Sequence, residues 1–498
     1  MNKKIRNIIR DLKIKPAVYW IKRGEQMALR LFGEMVKEVP AYKRFLKSNG
    51  IKMGDIKNMA DFKLLPTLDK GEYLKKYPLV DLCWGGELSE KHWVYSVTSG
   101  STGEPFYFPR QDDQDMQYAT TAEIYLNSNF KIDRHKTLYI NGFAMGAWIG
   151  GLFTYQALKH LVSRGDYALS IINPGLNKSE ILKAFRKLAP YYNQIIIGGY
   201  PPFVKDLLDE GLAEGIKWRN YNMKFIFSAE GFSEKFRDYI AHQAGLKNIY
   251  RDTLNHYGTV DLGTMSYETP LSILIRRLAI KNKKLYKTIF GDIYKLPTLT
   301  QYFPEMFFFE EINGGLVCSA YSGLPLARYD LKDNGGVIGF DEMLQHCRNA
   351  GINLENEIKK AGIKDTIQRL PFVFVYERSD FVVTLNGFNI YPETIRRALG
   401  ASSLSKNITG KFTMVVDRDK GQNQVFKINI ELRRKIKKSK QLSDKIRSII
   451  INHLLKENSE YRESYNQTKI RMLPRLTLWP YEHPLYFHSG GKQKWVKK

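Results

Sequence analysis

At 498 residues, with 77 Lys and Arg against 51 Asp and Glu and a formal net charge of +26, the chain can fill two or more cores and should attract anions. Hydrophobic and aromatic contents of 43% and 13% exclude a disordered polymer. Cys83, Cys318 and Cys347 show no paired spacing, so neither a disulfide framework nor a structural zinc is expected. Basic runs such as residues 433–438 read as solvated faces, and no motif specific for nucleic acid accompanies them. The first fifteen residues are basic and have no apolar segment of signal-peptide length, which makes the cytoplasm the expected compartment.

In chain order, residues 1–60 place Met27, Leu29, Leu31, Phe32, Met35 and Val36 at helical spacing, and two or three amphipathic helices are predicted. Leu64-Leu65-Pro66 then breaks the pattern, and Asp69 is placed to cap a new helix. Trp93 to Val97 and Phe106 to Phe108 are β-branched or aromatic and read as strands around a tight turn. That turn holds Thr98, Ser99, Gly100, Ser101, Thr102 and Gly103. Its glycines permit positive φ, so backbone N–H groups can converge on an oxyanion while the hydroxyls add donors. No Gly-Lys-Ser/Thr follows, which excludes a Walker loop.

Residues 114–127 are predicted helical. Residues 139–158 carry no charge and have glycines at 142, 146 and 150, so length alone would allow a membrane span. Asn141, Gln156 and the strand-like Leu138-Tyr139-Ile140 favour a buried strand, a glycine-rich loop and a helix, with no stable membrane insertion. Phe143, Met145 and Trp148 would then wall an acyl pocket. From 165 to 256 strand and helix patterns alternate, which means parallel βαβ units with ligand-binding loops at the strand ends. The loops concerned are 198–202, 228–231 and 256–261. Residues 341–367 read as polar helices without chemistry. Residues 411–417 and 424–432 read as strands, 441–456 as a helix and 470–478 as a closing strand. The expected fold is α/β: a large N-terminal domain, 1–379, of mixed and parallel sheets flanked by helices, and a small mobile α+β C-terminal domain, 380–498.

Residues 98–105, Thr-Ser-Gly-Ser-Thr-Gly-Glu-Pro, resemble the phosphate loop of the adenylate-forming enzymes, the superfamily of acyl- and aryl-CoA ligases. His256-Tyr257-Gly258-Thr259-Val260-Asp261 is similar to that superfamily's Tyr-Gly-x-Thr-Glu motif, with Asp261 in place of Glu and Val260 in place of Thr. Ser228-Ala229-Glu230 resembles its adenine-side segment. Leu324 to Asp333 resembles the Pro-Leu-x-Arg-Tyr…Asp segment, with Lys332 in place of glycine. Arg378 and Asp380, followed by Thr384 to Ile395, resemble the hinge, with Glu377 and Phe381 departing from its pattern. Gly491-Lys492 is similar to the terminal Gly-Lys, with Lys494 as a competitor.

The resemblance extends from residue 95 to 492 and is nearest to the phenylacetate-CoA ligase group, whose relatives include capsule-biosynthesis ligases and enzymes that adenylate a deazaflavin coenzyme. It implies ATP, Mg2+ and CoA as cofactors and a small carboxylic acid as substrate. It also implies roles. The 98–103 loop would hold phosphates, Ala229, Glu230, Tyr257, Gly258 and Arg378 would bind the nucleotide, and Asp333 would grip the ribose. Asp261 would hold the metal, Lys492 would act in catalysis, and Asp380 would be the hinge. An acidic carrier protein, an amine or a hydroxyl are alternative acceptors. A nucleotide-binding regulatory protein without turnover is the reading from another class, suggested by the departures at Val260, Asp261, Lys332 and Glu377.

Overall fold

The computed structural model describes residues 3–98, 105–147, 149–291, 296–378 and 382–487. The chain divides into two compact units: Met1–Ser96, Tyr107–Gly199 and Leu207–Glu377 form one, and Val97–Phe106, Tyr200–Asp206 and Arg378–Lys498 form the other.

The large unit is built on a sheet whose described strands number eleven. One half is parallel and runs Thr253–Thr259, Met223–Phe227, Gln194–Gly199, Thr137–Gly142, Leu169–Ile172. Met223–Phe227 and Gln194–Gly199 are buried at every residue, as strands covered on both faces must be. The helices Asp112–Ser128 and Ile149–Arg164 lie over this half. Tyr118, Ala122, Tyr125, Phe153, Ala157 and Leu161 form one core with Ile196, Ile226 and Leu254. The other half continues through Gly263–Tyr267, Thr298–Tyr302, Phe372–Arg378, Leu326–Ile338, Gly315–Ala320 and Phe307–Ile312. The sheet is therefore mixed, with βαβ crossovers in one half and antiparallel pairs such as Thr298–Tyr302 with Phe372–Arg378 in the other.

The uncharged stretch 139–158 resolves into the end of Thr137–Gly142, a turn, and the first part of Ile149–Arg164. Among the described residues no helix is long and apolar enough to cross a membrane. N-terminal helices Lys3–Ile14, Ala17–Glu38 and Pro40–Ser48 precede the sheet, and Leu12 and Trp20 join Ile124, Phe303 and Leu370 in a core of their own. Asp69 caps as its sequence position suggests, accepting the Glu72 N–H at 2.7 Å. What it caps is one wide turn, Lys70–Leu74, rather than a long helix.

In the smaller unit the strands Ile408–Arg418 and Gln424–Leu432 are antiparallel, and Arg475–Trp479 adds in parallel to the second. Phe412, Ile428 and Ile430 meet Ile446, Ile450 and Leu454 of the helix Lys440–Glu457. The closing strand begins later than its sequence pattern predicts. Residues 470–472 belong to a helix, Ser459–Met472, that the pattern conceals because its described buried residues are only Tyr461 and Met472. Asn458 caps it, the Tyr461 hydroxyl donates to the Met472 carbonyl at 2.8 Å, and Pro474 follows its end.

Candidate active site

The strand Thr253–Thr259 outruns its parallel neighbour, since Phe227 is the last residue of that strand and pairs with Asn255. Tyr257 thus stands at the carboxyl edge of the parallel half, where open α/β sheets bind ligands. Its buried hydroxyl donates to Asp333 Oδ2 at 2.7 Å, a contact between residues 76 apart in sequence. Phe309 stacks beside the ring, with centroids 6.3 Å apart. An aromatic face beside a carboxylate suits a nucleoside, the ring for the base and the carboxylate for vicinal hydroxyls.

Gly258 and the turn after it are dictated by backbone crowding. A Cβ at 258 would lie 2.4 Å from the Gly263 carbonyl oxygen, so no side chain fits. The Thr259 hydroxyl accepts the Leu262 N–H at 3.2 Å and closes the turn. Asp261 sits half-buried on it, and its Oδ2 accepts the Tyr329 hydroxyl at 2.7 Å. Magnesium commonly takes one or two protein carboxylates when substrate phosphates complete the shell, and Asp261 fits that use. Among the described residues no cluster of three or more His, Cys, Asp or Glu offers an all-protein cage.

Lys332 replaces a glycine of the resembled motif yet keeps a glycine-like conformation, φ +57°. Its Nζ pairs with Asp330 at 2.7 Å and Asp69 at 3.1 Å, and its N–H donates to Asp330 Oδ1 at 2.8 Å. The Leu68 N–H donates to the Arg328 carbonyl at 3.0 Å, and the Asp330 N–H to the Leu68 carbonyl at 2.8 Å. Two stretches that stand some 260 residues apart in sequence are therefore one piece beside Asp333. Arg328, buried and itself at φ +53°, pairs with Glu310 at 3.2 Å.

Ala229, at φ +75°, and Glu230 follow the strand Met223–Phe227, next to the tyrosine strand. The Asn255 side chain donates to the Glu230 carbonyl at 3.1 Å. Thr98 closes a neck: its N–H donates to the Phe106 carbonyl at 3.1 Å and its hydroxyl accepts the Phe106 N–H at 3.0 Å. Ser99, Gly100, Ser101, Thr102, Gly103, Asp380 and Lys492 lie outside the described residues, and Arg378 is described only as the last backbone position of its strand. Trp148 is outside as well. Of the pocket walls read from sequence, Phe143 is buried over Gly198, where a Cβ would fall 3.0 Å from its ring and 2.3 Å from the Tyr139 hydroxyl. Tyr139 and Phe143 thus fill the room that this glycine leaves.

Solved structures place this architecture. The chain superposes on 2-hydroxyisobutyryl-CoA ligase in complex with 2-HIB-AMP and CoA in the thioesterification state. The TM-score is 0.64 at 14% identity, covering 98% of this chain and 91% of that one. The chain has the fold of an acid–CoA ligase. An open conformation of the same ligase with 2-HIB-AMP and CoA gives 0.55 at 13% identity over 98% and 93%, and its postadenylation state with 2-HIB-AMP gives 0.54 at 13% over 98% and 91%. No protein-family model matches the chain, and no curated protein matches it by sequence.

The sequence motif includes His256 but does not show how it is housed. His256 points from the tyrosine strand to the opposite face, its ring 5.2 Å from that of Tyr125 and 6.1 Å from that of Tyr118. Its Nε2 makes no hydrogen bond, and burial pushes its pKa from the usual 6.5 down to about 3. The imidazole is neutral in the folded protein. Below pH 6.5 the unfolded chain takes up a proton that the folded chain refuses, so stability falls as pH drops from 6.5 toward 3. The slope from this group approaches about 1.4 kcal/mol per pH unit. Urea unfolding of wild type and His256→Phe at pH 7 and pH 5 should show the variant losing less stability than wild type. Equal losses would assign the acid sensitivity elsewhere.

Proposed function

We propose that the protein is an ATP-dependent, AMP-forming acid–thiol ligase that converts a small carboxylic acid to an acyl-adenylate and passes the acyl group to CoA. The observation that carries this reading is the meeting of Tyr257 with Asp333, 2.7 Å apart, on the strand edge that also presents Asp261. The order of the motifs and the ligase fold support it. So does the conformation of Lys332, which preserves the turn despite the missing glycine.

The chemistry needs position and cations more than acid–base groups. Tyr257 and Asp333 fix the nucleoside, with Ala229 and Glu230 at the purine edge. The 98–103 loop holds the departing phosphates through backbone N–H groups and hydroxyls. Magnesium, when bound, shields phosphate charge as the carboxylate oxygen attacks the α-phosphorus and pyrophosphate leaves. Asp261 supplies the protein ligand for it, and Lys492 stabilises the charge that builds between attacking oxygen and phosphate. Asp380 is the pivot about which the C-terminal domain presents the thiol to the adenylate, releasing AMP. Within the superfamily the motifs resemble those of the phenylacetate-CoA ligase group, a small aryl or acyl carboxylic acid is the substrate class, and the cytoplasm supplies ATP and CoA.

Purified protein is expected to exchange labelled pyrophosphate into ATP in the presence of Mg2+ and a suitable member of a panel of aryl and acyl acids. Normal ATP binding with no exchange across the panel would favour a nucleotide-binding regulator over a ligase. Exchange without thioester formation from CoA would move the acceptor to a carrier protein, an amine or a hydroxyl.

A further inference from the structure

The parallel half of the large sheet has two ends, and the chain charges them differently. Thr137, Gln194, Met223 and Thr253 begin four of its strands, and the register brings these starts to one edge, the amino edge. The segments that enter them, 131–136, 189–193, 217–222 and 247–252, carry seven Lys and Arg against two Asp. One of those acids is taken inward, since Asp252 is buried and pairs with Lys224 at 2.5 Å. Arg134, Lys136, Arg219 and Lys247 are exposed. The segments that follow the same strands, 143–147, 200–202, 228–233 and 260–262, carry Glu230 and Asp261 and no Lys or Arg. A lysine-rich composition alone would load both edges alike.

The N-terminal helix Lys3–Ile14 extends this surface. Ile5 and Leu12 are buried, and Ile8 and Ile9 pack against the core that holds Trp20 and Ile124. Its exposed positions include Lys3, Arg6, Arg10 and Lys13, which recur at helical spacing. Lys13 adjoins the amino edge: burial first, and then the charge of Lys131, lower its pKa, with Arg251 acting in the same direction. The Asp365 carboxylate pairs with Lys131 at 3.0 Å and with Arg251, one acid among three cations. Apolar side chains stand in water beside them. Ile14 is 58% exposed and Val18 55%, and Tyr191, in one of the entering segments, is 76% exposed.

Any polyanion would satisfy the cations. A nucleic acid could also stack on Tyr191, but it offers nothing to Ile14 and Val18. A bilayer serves both kinds of group, because its anionic headgroups meet the cations and its acyl boundary covers the apolar side chains. We propose that the amino edge and the exposed face of the N-terminal helix, all within the large unit, form a docking surface for an anionic lipid bilayer. Attachment of this kind is peripheral and needs no spanning helix. Tyr257 and Asp261 stand at the carboxyl edge of the same half-sheet, so a docked protein keeps that edge turned to the water. The inference does not depend on the ligase reading.

Co-sedimentation of the full-length protein with lipid vesicles is the test. In about 0.1 M salt the protein should pellet with phosphatidylcholine vesicles that hold about 30% phosphatidylglycerol, and stay in solution with phosphatidylcholine alone. A cation near an anionic surface is worth about fivefold in affinity, so the triple variant Arg134→Gln, Lys136→Gln, Lys247→Gln should bind about a hundredfold more weakly. The triple variant Lys437→Gln, Lys438→Gln, Lys440→Gln removes the same charge from exposed positions of the smaller unit and should bind like wild type. Ile14→Ser, which changes no charge, should weaken binding about fivefold. Equal losses in the two triple variants would overturn the proposal, because total charge and not this surface would be responsible. Failure to pellet with the anionic vesicles, or equal binding to both kinds of vesicle, would overturn it too. So would tighter binding to a single-stranded oligonucleotide than to the anionic vesicles, lost in the first triple variant and unchanged in Ile14→Ser, which would assign the surface to nucleic acid.

Discussion

Asp333→Ala is expected to weaken binding of MgATP and of AMP alike, by about a hundredfold, while the protein remains folded. A carboxylate that accepts hydrogen bonds contributes about 1.5–3 kcal/mol per bond, and two ribose hydroxyls would lose their acceptor together. The substitution also removes the acceptor of the Tyr257 hydroxyl, which is buried and orients the ring. Tyr257→Phe separates these contributions. It keeps the aromatic face and Asp333, so its affinity should fall only several-fold, in line with one neutral donor lost. Titration calorimetry of both variants with both nucleotides is the measurement. Unchanged affinity in Asp333→Ala would show that the nucleoside is not held at this corner. A loss confined to MgATP would assign Asp333 to the phosphates or the metal instead of the ribose.

What could be read from the sequence follows from how local each signal is. The buried strands at 194–199 and 223–227 are apolar runs between helical patterns, and both periodicities survive in the chain without knowledge of contacts. The Tyr257-Gly258 pair is similarly local, since Gly258 answers to a carbonyl only five residues away. By contrast, the bridge that joins Leu68 to Tyr329 and the ion pair of Asp69 with Lys332 depend on contacts across some 260 residues. No periodicity encodes them. Lys332 itself misleads, because a lysine at a glycine position suggests an altered turn, whereas the residue adopts positive φ with its Nζ paired to Asp330 and Asp69. The helix Ser459–Met472 is hidden for a related reason: Tyr461 anchors it by one hydroxyl and one ring, leaving little apolar stripe to see. Charged side chains give no periodic signal of burial. Arg110, Arg237 and Arg276 lie in the core, where arginine is seldom found unless it is paired.

The last two of these arginines support one wall of the site. Arg237 donates to Glu234 at 2.9 Å, to the Thr253 hydroxyl at 2.8 Å, and to both oxygens of Glu268 at 2.7 and 2.9 Å. Arg276 donates to the Pro297 carbonyl at 2.7 Å, to Glu234 and to the Phe232 carbonyl. This network therefore fastens the segment after Glu230, the start of the tyrosine strand and the helix Pro270–Lys281 to one another.

Glu268→Ala is expected to destabilise the large unit by about 3–5 kcal/mol, because it leaves the Arg237 guanidinium buried without its bidentate partner. The double variant Arg237→Met, Glu268→Met should recover most of that loss, since removing both charges also removes the desolvation cost. Urea unfolding followed by tryptophan fluorescence gives both numbers, with Trp218 buried in the large unit as a reporter. If the double variant is no more stable than the single one, the network does not act as a charge-compensating unit and the loss must come from packing. If it recovers stability but binds AMP more weakly than wild type, the buried charges serve to hold the 228–232 segment in place for the purine, and stability is not what they contribute.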